Sequence, residues 1–267
     1  MRQVLLHGHI FKNAGTTLDW SLQRCFGDKF LEHRDDPKIR QNPESELREV
    51  LQSDDLQALS SHSMPCPAPE IQGVRFSELV LLRHPLKRVR SVYEFERNQQ
   101  AETPGALAAK EKNYADYVHW RMQAGVGATI RNFQTRFVCG GRARNARFDP
   151  GPEQFFSSIA NIERSALTGI VERYDESMVV FESVLSQHFP GIDLSYVPQN
   201  VTRQRFGGSK KAWDEDLGDV KNELIEKNAY DLALYEHANQ RLTASIEQVT
   251  DFSARLQAFK QRCAALR

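Results

Sequence analysis

Apolar positions along the chain fall into two rhythms. The first is the short unbroken run: Val4-Leu5-Leu6, then Leu79-Val80-Leu81-Leu82. Such runs are too short for a buried helix and are bounded by small or polar residues, so they predict strands over about 4–10 and 76–82. Weaker runs predict strands over about 56–60 and 167–171. The second rhythm has a spacing of three to four: Leu18, Leu22 and Phe26, then Leu86, Val89, Val92 and Tyr93. It predicts helices over about 17–26 and from Pro85 onward, the latter with proline in its first turn. Further helices are expected over about 45–51, 103–122, 153–162 and 175–188, the last capped by Asp175. From about 220 the chain reads as helical, with Leu224, Leu232, Tyr235, Leu242, Ile246, Val249, Leu256 and Phe259 as its apolar stripe. Residues 33–45 read as a surface connection, 64–69 as irregular because of three prolines, and 199–213 as a loop or hairpin. Strands alternating with helices imply an α/β fold whose parallel sheet is covered on both faces.

Composition narrows this picture. A chain of 267 residues suits one α/β domain, its helical C-terminal part spanning about 220–267. Basic and acidic residues balance at 35 each, so global charge favours neither nucleic acid nor membrane. Locally the balance fails. Arg131, Arg136, Arg142, Arg144 and Arg147 precede any carboxylate in their stretch; Arg83, Lys87, Arg88 and Arg90 form a second cluster, and Arg203, Arg205, Lys210 and Lys211 a third. Basic patches on a neutral protein suggest an anionic ligand, with solvated faces as the competing reading. Cys25, Cys66, Cys139 and Cys263 show no metal-binding spacing and read as reduced thiols of a cytoplasmic protein. No run has the length of a membrane span, and no leader is expected before the first strand.

Candidate chemistry sits where strands run into helices. Between the first strand and helix lies His9-Ile10-Phe11-Lys12-Asn13-Ala14-Gly15-Thr16-Thr17. The first N–H groups of a helix lack intrahelical partners and, with the helix dipole, favour an anion. Ala14 and Gly15 permit close approach, Thr16 and Thr17 add hydroxyls, and Lys12 reaches from the strand side. A tight turn with a solvated lysine is the alternative. The standard P-loop is absent, because it places lysine after the glycines. The second site is Leu82-Arg83-His84-Pro85, again a strand end, where open parallel sheets bind ligands. Arg83 can grip a phosphate with two parallel hydrogen bonds, and Ser91 can add a hydroxyl. The alternative for Arg83 is an ion pair with Glu94 or Glu96. Two separated anion sites point to a ligand with two phosphate-like groups.

These residues resemble the sulfotransferases that use 3′-phosphoadenosine 5′-phosphosulfate (PAPS), in particular the carbohydrate group containing the heparan sulfate 2-O- and 6-O-sulfotransferases. There the first loop often reads HIPKTGGTT and the 3′-phosphate motif LRDPxxRxxSxY; here they read HIFKNAGTT and, over 82–93, LRHPLKRVRSVY. Asn132-Phe133-Gln134-Thr135-Arg136, the stretch from Gly169 through Glu172 to Ser177, and the Asn228–Ala238 helix resemble further segments of that group. His84 stands where the group has aspartate, so a helix cap is lost. The resemblance implies a P-loop-NTPase-like three-layer α/β/α fold with a central, mainly parallel sheet, in a soluble bacterial-type member.

It also implies roles. Lys12 would contact the oxygen bridging sulfate and 5′-phosphate. Asn13, Ala14, Gly15, Thr16 and Thr17 would form the 5′-phosphate loop, while Arg83 and Ser91 would hold the 3′-phosphate. Transfer of the sulfuryl group to an acceptor hydroxyl, in a carbohydrate or elsewhere, needs a base and no metal. Among eight histidines, His62 follows a strand and lies between the two motifs, where the group places its base. A histidine bonded to Ser61 or Ser63 is its alternative. His7 and His9, at alternating strand positions, suit packing or support of the loop. Arg203 and Arg205 lie in a stretch resembling the loop that covers PAPS and meets the acceptor. Two other classes compete: a magnesium-dependent ATP kinase and a non-catalytic nucleotide-binding module.

Overall fold

The computed structural model describes residues 1–34, 36–140, 149–164, 166–199 and 214–267. Five strands, β1 (Arg2–Gly8), β2 (Phe30–His33), β3 (Ala58–Ser61), β4 (Val74–Leu82) and β5 (Ala166–Ile170), form one sheet in the order β2-β3-β1-β4-β5. Every pairing is parallel, with His7 of β1 opposite Ser60 of β3 and Leu79 of β4. Parallel neighbours require crossovers, and the helices supply them. In chain order these are α1 (Gly15–Phe26), α2 (Asp36–Gln41), α3 (Pro43–Val50), α4 (Pro85–Asn98), α5 (Pro104–Glu111), α6 (Tyr114–Met122), α7 (Phe133–Val138), α8 (Pro152–Arg164), α9 (Tyr174–Leu185), α10 (Val220–Glu226), α11 (Ala229–Glu247) and α12 (Phe252–Ala265). The chain therefore adopts the expected three-layer α/β/α fold around a central parallel sheet.

Side-chain alternation along the strands divides the core. On one face Leu5, Leu79 and Leu81 join Leu18 and Leu22 of α1, Phe181 and Leu185 of α9 and Phe259 of α12. On the other, Val4, Leu6 and Leu59 meet α2 and α3, while Val80, Leu82 and Ile170 meet α7, α8 and α11. A further cluster holds α4, α5, α6 and α10 together through Val89, Val92, Tyr117, Val118 and Leu224.

Several boundaries differ from the sequence reading for local reasons. The helix expected over 103–122 is two helices, because Asn113 leaves the helical path and caps α6 with a side-chain bond to the Asp116 N–H. The connection over 33–45 contains α2 and the start of α3, whose cap is Asn42. Asp175 lies inside the first turn of α9 and makes no cap bond; Arg173 holds the N-cap position. Strand β2 has a single fully apolar interior position, Phe30, so no run announced it. The loop expected over 199–213, with Arg203 and Arg205, lies outside the described residues apart from Gln199, as do Arg142, Arg144 and Arg147.

A candidate anion-binding active site at the sheet's C-terminal edge

The candidate residues converge where β1, β3 and β4 end. After Gly8 the chain takes a compact turn in which Lys12 and Ala14 adopt left-handed backbone angles, φ 66° and 60°. Each costs about 1 kcal/mol for a residue with a Cβ, so the surrounding structure must impose them. Two guanidinium groups do so from behind. Arg88, buried in α4, donates from Nε to the Phe11 carbonyl at 2.9 Å and from Nη1 to the Thr129 carbonyl at 2.9 Å. Its Cζ lies 4.0 Å from the Phe133 ring centre. Arg83 donates from Nη1 to the Lys12 carbonyl at 3.1 Å. With those carbonyls drawn inward, the N–H groups of Ala14, Gly15 and Thr16 have no acceptor among the described residues. A run of free amides at the start of a helix, after alternating handedness, is an anion-binding concavity.

Two members of the expected loop are committed elsewhere. Asn13 is buried: its Nδ2 donates to the Leu81 carbonyl at 2.7 Å and to Gln134 Oε1 at 2.6 Å, and its N–H goes to the Ile10 carbonyl. Through its side-chain amide and its N–H, Asn13 anchors the loop. The Thr17 N–H bonds to the Ala14 carbonyl at 3.0 Å, and its Oγ1 accepts the Gln199 N–H at 3.1 Å. That leaves the hydroxyl proton of Thr17 to donate.

Lys12 lies with Nζ 4.6 Å from the Phe95 ring centre. Burial, with Arg83 and Arg88 nearby and Glu94 opposing, pushes its ammonium down to about 8. Arg83 is not paired with Glu94 or Glu96; Glu96 is bound by Arg121 and by Tyr117. The Nε of Arg83 is buried with no partner among the described residues, a donor that an anion could satisfy. Burial lowers the Arg83 pKa, with Glu172 and Glu94 opposing. Ser91 is half-buried in α4, and its hydroxyl has no partner among the described residues. His84 makes no side-chain cap for α4. Instead its N–H bonds to the Glu172 carboxylate at 3.2 Å, an acid supplied from the end of β5.

His62 stands just beyond β3, and its Nδ1 lies 2.9 Å from the His9 carbonyl. A carbonyl only accepts, so Nδ1 carries a proton, and in the neutral ring Nε2 is the nitrogen without one. The expected alternative partners do not hold this nitrogen: Ser61 Oγ accepts from the Ser63 and Met64 N–H groups, and Arg40 donates to Ser63 Oγ. His7 and His9 both turn toward α1, where Asp19 takes their Nδ1 atoms at 2.6 and 2.7 Å. Burial alone would raise the Asp19 carboxyl, yet the charge of His7 and the hydrogen bonds from both rings hold it well below the usual carboxylate range. Ligand-type atoms of this trio lie within 4.8 Å of one another. The separations are those of N–H···O⁻ hydrogen bonds, so a proton on each Nδ1 accounts for the cluster.

Sequence reasoning missed the braces. Gln134, fully buried, donates from Nε2 to the Arg83 carbonyl at 2.9 Å and accepts the Arg83 N–H at 2.8 Å, besides holding Asn13. Asp231 in turn accepts the N–H groups of Gln134 and Thr135 at 3.0 and 2.7 Å, and Asn132 Oδ1 accepts the Asp231 N–H. The segments around Asn132 and Asn228 are thus scaffolding that ties both anion motifs together. Asp19 had one available signal, an acid beside the apolar stripe of α1.

No family model matches the chain. It is 27% identical over 251 residues to an uncharacterized protein of Archaeoglobus fulgidus, covering 88% of this chain and 95% of that protein. It is also similar to a solved sulfotransferase from Alicyclobacillus acidocaldarius, at 13% identity and a TM-score of 0.42, over 88% of this chain and 95% of that one. Among the described residues no helix is long and apolar enough to cross a membrane.

Proposed function

We propose that the chain is a sulfotransferase that moves a sulfuryl group from PAPS to an acceptor hydroxyl. One observation carries the reading: free amides of Ala14, Gly15 and Thr16, the Lys12 ammonium and the Arg83 Nε, unsatisfied among the described residues, lie at one sheet edge beside His62, whose Nδ1 donates to the His9 carbonyl. The amides and Thr17 hydroxyl receive the 5′-phosphate; Arg83 and Ser91 receive the 3′-phosphate. His62 Nε2 takes the acceptor proton as the new S–O bond forms. Lys12 neutralises the charge left on the departing phosphate oxygen, a service worth most in the transition state. No step requires a metal. The acceptor hydroxyl belongs to a carbohydrate or another small molecule, and Arg203 and Arg205 are proposed contacts to the cofactor or to an anionic acceptor.

Transfer of labelled sulfate from PAPS to a panel of sugar, phenol and alcohol acceptors, with and without chelator, is the direct test. Chelator-insensitive transfer is expected; tight ATP–magnesium binding without affinity for 3′-phosphoadenosine 5′-phosphate (PAP) would overturn the reading in favour of a kinase. Lys12→Ala and His62→Ala should each lower turnover about 100- to 1000-fold while PAP still binds. Arg83→Ala should instead weaken PAP binding about 10- to 100-fold, measured by calorimetry.

A further inference from the structure

His9 is the first residue after β1, and three independent constraints meet on it. Its carbonyl takes the His62 Nδ1–H at 2.9 Å. Its ring lies beneath the His62 ring, centres 3.9 Å apart and planes tilted by 38°. Its own Nδ1 is held by Asp19 at 2.7 Å. The last contact fixes the tautomer, because an ionised carboxylate can only accept. Gly15 completes the arrangement: a Cβ there would come within 2.2 Å of His9 Cδ2 and 2.3 Å of Nε2. Glycine at the head of α1 is thus demanded by the imidazole behind it as well as by any anion in front.

We propose that Asp19 and His9 are positioning residues for His62, forming a line carboxylate–imidazole–imidazole that holds the His62 ring in one orientation and one tautomer. This rests on His62 being the base. Asp19 stops the His9 ring from turning, the His9 ring denies His62 the space to rotate, and the His9 carbonyl keeps the His62 proton on Nδ1. A misplacement of about 1 Å at a reacting group costs about 100-fold in rate, so such a floor is worth building.

The test uses the full chain and two substitutions. Asp19→Asn keeps the shape but supplies an N–H to one of the two imidazoles. His9→Gln keeps a donor for Asp19, so the buried carboxylate stays paired, while removing the aromatic floor. Long-range proton–nitrogen NMR of the ring nitrogens, at a pH where the rings are neutral, reads the His62 tautomer directly. The expected result is a proton on Nδ1 of His62 in the parent protein and a shift toward Nε2 in both variants. Turnover should fall about 10- to 100-fold, with KM for PAPS and affinity for PAP within about twofold. His62 retaining its Nδ1 proton in both variants would overturn the proposal. The tautomer shift appearing in a protein that transfers no sulfuryl group would support the positioning role and refute the functional reading, so the two are separable.

Discussion

Lys12 is held in a conformation and an environment that both work against it. Its left-handed backbone is imposed by Arg83 and Arg88, and the same two cations, after burial, help drive its ammonium down to about 8. An anion arriving at the loop reverses that pressure. Binding of PAP should therefore take up about half a proton near pH 8 and almost none well below it, and affinity should fall as pH rises past 8. Calorimetry in buffers of different ionisation enthalpy measures the uptake. No uptake at any pH would place Lys12 away from the ligand. Lysine and arginine at strand ends were legible in the sequence because chemistry shows in residue type. Asn13 was not, because an asparagine facing Leu81 and Gln134 reads the same in one dimension as one facing solvent.

Among the elements, the shortest helix near the site has the widest reach. Through Gln134, α7 bonds to both the Arg83 peptide and the Asn13 side chain, and Asp231 of α11 fixes α7 in turn. Gln134→Ala would strand several buried polar groups, so a loss of about 2–4 kcal/mol is expected in urea unfolding, together with weaker PAP binding. Strand β4 carries a second consequence. Burial pushes the Glu78 carboxyl up to about 7, although the Ala68 N–H and Cys66 oppose it. Glu78 is then neutral in the fold at pH values where the unfolded chain has already ionised it. Its stability contribution is complete below about 4.5, fades as pH rises to 7 and stays lost above. Glu78→Gln should accordingly raise the melting temperature above pH 7, by the equivalent of about 1–3 kcal/mol, and leave it unchanged near pH 4. Strong periodicity made β1, β4, α1 and α4 readable. The short elements β2 and α7 were not, since their form is set by pairing with β3 and by Asp231.

At the scale of the molecule, the sheet joins sequence-distant segments into common cores. Phe259 of α12 is fully buried in the cluster that contains Leu5 of β1 and Leu18 of α1. Phe259→Ala should lower stability by about 3–5 kcal/mol, seen as a lower denaturant midpoint at unchanged slope. PAP affinity of the folded variant should be unaffected.

The same packing orders events in time. The amides that would grip a nucleotide are made well before their support, because the apolar cover for α1 comes from residues made some two hundred positions later. A growing chain holds the grip's letters long before it holds the grip, and its ability to recognise a nucleotide should switch on late in synthesis and abruptly.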